Sequence, residues 1–337
     1  MVNQDSKLSV AIIGAGIAGL SCATQLQTKG FNVQIFEKSR GPSGRMSTRT
    51  SDHWSADHGA QYFTARDPLF IEELNIWIKN GVAGTWHPRL KVFEGRQWRE
   101  STSTEYRYVG IPAMNSPGKY LTQNLQVTYS QTIDQITYEG GRWILGSIES
   151  GQLESQFDYL VLALPAPQAF ALTQLIDPSI AEKNQVEMLG CWTVIASFTE
   201  KQDIPFDAAF INGEMISWIS RNNAKPGRDG LETWTIHANA QWSQQWIELD
   251  KEEASQRIQK CAKELGLDCQ NAQISVHRWR YASGSTGVNP GFKVFDDIQM
   301  ALCGDWLHGG RVEGAWLSGH KLANEISIQQ SHLMNKA

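Results

Sequence analysis

Gly14, Gly16 and Gly19 are spaced to do a job that larger residues cannot. The stretch Gly14-Ala15-Gly16-Ile17-Ala18-Gly19 reads G-x-G-x-x-G. In this pattern the first glycine permits a tight turn, the second lets a pyrophosphate approach the backbone, and the third lets a helix pack on a strand. The phosphates would then sit at a helix N-terminus, where unpaired N–H groups and the positive end of the dipole hold an anion without a lysine. Glu37 closes the next strand-like run, where a carboxylate can accept hydrogen bonds from a ribose diol. Together these residues point to a dinucleotide and leave NAD and FAD both open. Metal chemistry has no such support. Cys22, Cys191, Cys261, Cys269 and Cys303 show no C-x-x-C spacing and no histidine cluster, so neither a metal site nor a disulfide framework is expected.

The elements that must position these residues follow from periodicity. Residues 8–13 form a short apolar run, 17–29 a helix pattern and 31–37 an alternating strand, which is one βαβ unit. Residues 116–124 predict a short helix, and 126–133, 136–138 and 143–148 an antiparallel meander around Glu139-Gly140-Gly141. A buried strand is expected at 158–164. The stretch 168–291 is expected to be a sheet-rich region with one helix at 251–265, whose charges lie on one side. Residues 298–303 predict a strand, 304–310 a loop and 312–326 a helix. The expected fold class is α/β, with a discontinuous Rossmann-type cofactor domain over 1–78, 105–166 and 295–337. A smaller mixed-sheet α+β substrate domain takes 79–104 and 167–294, and a cleft between two such bodies is a usual place for a cofactor.

Bulk properties exclude other classes. With 337 residues, 41% hydrophobic and 19% charged, the chain is expected to fold throughout. A net charge of -5 with dispersed Lys and Arg argues against nucleic acid as a partner. The first apolar run is broken by glycines, so it reads as neither signal peptide nor membrane span, and a cytoplasmic location is the expectation. Most of the 13 tryptophans are expected in the core or in cleft walls.

The stretch Glu37-Lys38 through Gly44-Arg45-Met46-Ser47-Thr48 resembles the corresponding segment of the FAD-dependent amine-oxidase superfamily, departing from it where Ser43 replaces the first of paired glycines. Asp57-His58-Gly59-Ala60-Gln61-Tyr62-Phe63-Thr64 is similar to the family segment that passes the flavin ring. Gly304-Asp305-Trp306 resembles the element whose aspartate meets the ribityl chain, and Gly309-Gly310-Arg311-Val312-Glu313-Gly314-Ala315 the stretch that aims a helix N-terminus at flavin N1. The resemblance implies a p-hydroxybenzoate-hydroxylase-like fold and one non-covalent FAD. The expected contacts comprise the glycine turn with Ile17 and Ala18, then Glu37, Lys38, Gly44, Arg45 and Met46. Beyond these come the Gly59–Phe63 segment, Ile133, Gly304 and Asp305, and finally Arg311, Val312, Glu313 and Ala315.

Within the superfamily the chain resembles bacterial renalase-like proteins, through Ser217 to Arg228, Ile236-His237-Ala238 and His277-Arg278-Trp279-Arg280-Tyr281-Ala282 in addition to the cofactor motifs. That resemblance implies hydride removal from the 2- or 6-dihydro isomers of NAD(P)H, giving NAD(P)+, with O2 reduced to H2O2. A dihydropyridine becomes aromatic when hydride leaves, so such a site needs orientation more than a strong base. His237 is the catalytic candidate, as a donor to the carboxamide or as a charge-tuning neighbour. Trp234, Trp279 and Trp306 are candidate walls, and Arg278 and Asn223 candidate substrate contacts. On a strand His237 shares a face with Thr233 and Thr235, opposite Trp234, so only one of the two can line a cleft, and His237 is preferred. Two alternatives stand beside this reading. The first is an amine oxidase or desaturase, which commonly uses a lysine near flavin N5, a post that no lysine here clearly takes, Lys293 included. The second is a non-catalytic FAD scaffold or redox sensor. No second G-x-G-x-x-G unit is present, so a nicotinamide would enter as substrate.

Overall fold

A computed structural model describes residues 7–183, 186–284 and 289–334. Its first layer is a six-stranded sheet in the order Phe292–Phe295, Met300–Cys303, Tyr159–Leu162, Ser9–Ile13, Asn32–Glu37, Gln126–Tyr129. The strands run parallel, except that Phe292–Phe295 is antiparallel to Met300–Cys303. Ser9–Ile13 is apolar on both faces because both are covered. Val10 and Ile12 pack with Leu20 and Leu26 of the helix Ile17–Thr28 and with Leu322 of the helix Val312–Met334. Ala11 and Ile13 pack under the meander, against Ile136, Trp143 and Phe157.

The second layer is a seven-stranded sheet in the order Gln273–Ser283, Leu189–Phe198, Glu232–Ala238, Ile216–Arg221, Ala208–Ile211, Leu90–Glu94, Gln97–Glu100. All its pairings are antiparallel apart from Ala208–Ile211 with Leu90–Glu94. Period-two alternation gives the sheet two different faces. Trp192, Val194, Trp234 and Ile236 face the helix Lys251–Glu264 and form a core with Ile258 and Ala262. Thr193, Thr235 and His237 point the other way, toward the segment that begins at Asp57: Thr235 Oγ1 donates to the Asp57 carbonyl at 3.0 Å.

The α/β architecture agrees with the sequence reading, and the departures from it have local causes. Residues 126–133 are not one strand of the meander. Ser130 adopts φ 54°, which ends Gln126–Tyr129 as a parallel partner of Asn32–Glu37, and the chain restarts as Ile133–Glu139. The meander's third strand is Gly151–Phe157, a mostly exposed polar sequence with no apolar signal to announce it. Phe292–Phe295 belongs to the first sheet although residues up to 294 were expected with the second. The C-terminal helix continues to Met334. Residues 1–6 and 335–337 of the expected cofactor domain, and 184–185 and 285–288 of the smaller one, lie outside the described residues.

Candidate active site

The three glycines of the first turn have different reasons to be glycine. Gly14 sits at φ +106°, and a Cβ there would lie 2.6 Å from the Ala163 carbonyl oxygen; a Cβ on Gly19 would lie 2.1 Å from that of Gly14. Both are required by the fold itself. Gly16 has φ -71°, and a Cβ built on it meets nothing within 4 Å. No contact among the described residues explains the missing side chain, whereas a pyrophosphate approaching the backbone would. Ile17 and Ala18 open the following helix, buried, with Ile17 reaching the cavity described below.

Glu37 is 7% exposed and accepts from Ala15 N at 2.8 Å and Ser39 N at 2.7 Å. A carboxylate offers about four acceptor sites, so capacity remains for a ribose diol. Lys38 beside it is exposed. Ser43, where the resemblance expects glycine, takes the glycine-like φ of +92° and Gly44 follows at +54°. Ser43 N donates to the Ala15 carbonyl at 2.8 Å, and this holds the glycine turn and the Ser43–Met46 segment together. Ile133 departs from expectation, since its side chain packs in the core under the meander.

Between the two sheets lies a cavity of about 520 Å³. Its floor carries Ile17, Arg45, Met46 and Asp305, and its middle wall Gly59, Ala60, Tyr62 and Phe63. Val312 and Ala315 bring the start of the C-terminal helix to one end, and Cys191, His237 and Trp279 come from the second sheet. Arg45 makes a two-pronged ion pair with Asp305 and also donates to the Ala282 carbonyl at 3.1 Å. Asp305 is held in place by its own turn, in which its carbonyl accepts from His308 N and Gly310 N at 2.9 and 2.8 Å. Gly304 stands behind it, its N–H donating to Ser318 Oγ. Arg66, Glu105 and Arg311 line the same space. Arg66 pairs with Glu105, while Arg311 is exposed and has no ion-pair partner among the described residues.

One backbone oxygen organises the second-sheet wall. The His58 carbonyl accepts from Trp279 Nε1 at 3.0 Å and Thr193 Oγ1 at 3.4 Å, and lies 3.2 Å from His237 Nε2. Burial lowers His237 to about 4, opposed by its bond to His58 and assisted by the charge of Lys225, so the ring is neutral at neutral pH. A carbonyl can only accept, so Nε2 carries the proton and Nδ1 is left as an acceptor. His237 therefore corrects one expectation: it offers the cavity an acceptor, not a donor. The His58 ring stacks on Trp279 with centroids 5.1 Å apart, and burial, with His277 and Arg49 nearby, holds it neutral at about 3.

Several expected substrate contacts lie elsewhere. Trp234 is fully buried on the far face of its sheet, against Phe206, with Nε1 donating to Glu232. Trp306 is buried against Phe170 and donates to the Leu164 carbonyl. Arg278 points away from Trp279, donating to the Ile247 carbonyl at 2.9 Å and pairing with Glu248. Asn223 clamps its own loop, binding the Gly230 carbonyl and Thr233 N. Two expected cofactor side chains are also spent on the protein. Glu313 accepts from Arg66 N and Asp67 N at 2.6 and 2.7 Å. Gln61 is turned into a buried network with Asp57, Ser220 and Lys225.

Sequence reasoning missed Cys191 and the Asp57–Lys225–Arg228 cluster. Cys191 lies inside an apolar run, and only its two-residue offset from Thr193 marks its face. Burial pushes its thiol up to about 12, so it is present as the thiol.

Residues 12–72 match the NAD(P)-binding Rossmann-like domain family, and residues 83–327 match the family of flavin-containing amine oxidoreductases. A zeta-carotene-forming phytoene desaturase of Myxococcus xanthus is 42% identical over 50 residues, 15% of this chain and 10% of the desaturase. A 4,4'-diaponeurosporene oxygenase of Staphylococcus aureus is 24% identical over 187 residues, 54% of this chain and 37% of the oxygenase. The matched stretches thus span well under two thirds of these relatives. A putative protoporphyrinogen oxidase from Exiguobacterium sp. 255-15 superposes with a TM-score of 0.77 at 12% identity, covering 96% of this chain and 99% of that one. Cyclohexylamine oxidase from Brevibacterium oxydans gives 0.72 at 12% identity, over 97% and 100%. At such identity these two likenesses speak for the fold. The match over 83–327 covers most of the chain, and with it come an FAD cofactor and oxidoreductase chemistry: the protein belongs to the flavin-containing amine oxidoreductase family.

Proposed function

We propose that the FAD lies with its pyrophosphate over Gly16, its ribose at Glu37 and its ring in the cavity, and that the enzyme removes hydride from a dihydronicotinamide nucleotide of the 2- or 6-dihydro type. When bound, the FAD supplies the hydride acceptor and passes the electrons to dioxygen, which leaves as peroxide. The chain's own residues orient and screen. The start of the helix Val312–Met334 presents unpaired N–H groups to developing negative charge. Trp279, held by the His58 carbonyl, gives a planar ring a flat surface. His237 Nδ1 accepts from the substrate carboxamide N–H.

The observation that carries this reading is the charge of the cavity wall. Arg45, Arg66 and Arg311 face Asp305 and Glu105, which leaves Arg311 unpaired and the lining net positive. The exposed guanidinium of Arg311 offers a phosphate of a dinucleotide substrate a partner and gives an ammonium ion none. Among the described residues no lysine lines the cavity, and Lys293 sits on an edge strand outside it. Anaerobic mixing of the yellow protein tests the proposal: bleaching by dihydronicotinamide isomers, followed by peroxide on admitting air, is expected. Bleaching by amines alone would replace it with an amine oxidase, and bleaching by neither would leave a desaturase or a non-catalytic scaffold.

A further inference from the structure

The run from Ser220 to Arg228 lies behind the cavity wall, and no step of the proposed reaction uses it. Lys225 Nζ donates to Asp57 Oδ2 and to Gln61 Oε1, both at 3.1 Å, and Arg228 donates to the same Asp57 oxygen at 2.7 Å. All three charged side chains are fully buried. The other Asp57 oxygen accepts from Thr48 Oγ1 at 2.7 Å and Met114 N at 3.1 Å. Burial alone would push the Asp57 carboxyl up, yet Lys225, Arg228 and these hydrogen bonds hold it below the usual carboxylate range. The carboxylate is therefore ionised, and two cations face one anion. The excess positive charge is a burden on the fold, because a buried charge without a counter-charge is strongly destabilising.

What could offset that charge lies across the wall. Gln61, which receives the Lys225 ammonium, stands between Ala60 and Tyr62, and both of these line the cavity. Lys225 also acts electrostatically on His237, another lining residue. The charged and titratable groups that face Lys225 are Asp57 from the strand Ser55–Asp57, Arg228 from its own loop and His237 from Glu232–Ala238. The ammonium also lies over the Trp86 ring, 5.4 Å from its centroid. A two-electron-reduced flavin carries negative charge near N1, and a fixed positive charge in a dry site favours it.

We propose that Lys225 is a positioning residue for the cofactor site: with Arg228 and Asp57 it holds an excess positive charge behind the Gly59–Phe63 wall, and that charge raises the reduction potential of the bound flavin. The inference rests on FAD occupying this cavity, but not on the identity of the substrate. Burial lowers Lys225 to about 8, with Asp57 opposing and Arg228 adding to the fall. Lysine at this position thus loses its charge in an accessible pH range, whereas arginine would not.

The test is the two-electron reduction potential of the holoprotein, measured by equilibration with a reference dye, so that substrate specificity plays no part. Lys225→Met is expected to keep FAD and to lower the equilibrium constant for reduction at neutral pH by about tenfold, roughly 30 mV for a two-electron couple. Lys225→Arg should match the wild type at neutral pH. As the pH rises through about 8, the wild type should fall away from Lys225→Arg and approach Lys225→Met. The comparison is made where the reduced flavin is anionic in all three, so that its proton uptake is the same and cancels in the differences. A yellow Lys225→Met with the wild-type potential overturns the proposal. Where that variant does not retain FAD, coincident wild-type and Lys225→Arg curves across the whole pH range overturn it instead.

Discussion

The two ends of the proposed FAD site are built from different materials. At the Gly14–Gly19 turn the site is backbone: a strand end, a helix start, and open space above Gly16. Its only buried charged side chain is Glu37, and neighbouring N–H groups hold that carboxylate in place. At the second-sheet end the site is made of side chains from distant parts of the chain, hung on one carbonyl at His58 and one carboxylate at Asp57. The first end needs only local geometry and tolerates little chemical change. The second can change its chemistry by single substitutions but depends on a buried network that must be completed from four separate segments.

Breaking the backbone end should have the largest effect. Gly16→Val places a side chain where the protein itself leaves space, so the fold should persist while FAD retention is lost. Desalting the variant and recording its visible spectrum checks this, and a fully yellow protein would move the phosphates elsewhere. Asp57→Ala attacks the other end by leaving Lys225 and Arg228 buried without their anion. A loss of about 3–5 kcal/mol is expected in denaturant unfolding of the apoprotein; a loss near zero would mean that the cluster is solvated. His237→Ala should leave FAD bound and slow anaerobic flavin reduction by about tenfold, the worth of one hydrogen bond to substrate of ~1.4 kcal/mol. An unchanged rate would assign His237 to the support of its sheet. The smallest effect sharpens the contrast. Ser43→Gly relieves a non-glycine residue at φ +92° but loses its hydroxyl bond to the Asn115 carbonyl, for a net gain of about 1 kcal/mol. A measured loss of stability would show that the hydroxyl outweighs the strain.

The same difference explains what could be read before the structure. The Ser9–Glu37 βαβ unit announces itself through short-range signals: an apolar run, fixed glycine spacing, a helix period and a terminal carboxylate. The face of His237 also follows from alternation alone, and it sets Trp234 on the other side of the sheet. Alternation cannot say what a strand faces. Arg278 and Trp279 are neighbours on one strand, yet one reaches Glu248 and the other the cavity, and only the packing of Gly59 and His58 decides between them. The Ser220–Arg228 run was the least legible, because three cations and two amides in sequence carry no sign of burial. All but Asn223 are buried, and Asp57, far away in sequence, arrives to receive two of them.

The central claim is that segments from the start, early middle and end of the chain close around one FAD. Adding FAD to the purified apoprotein, removing the excess and measuring flavin bound per chain tests it directly. One flavin per chain in the native protein and none in Gly16→Val is the predicted result; a folded native protein that stays colourless would contradict it.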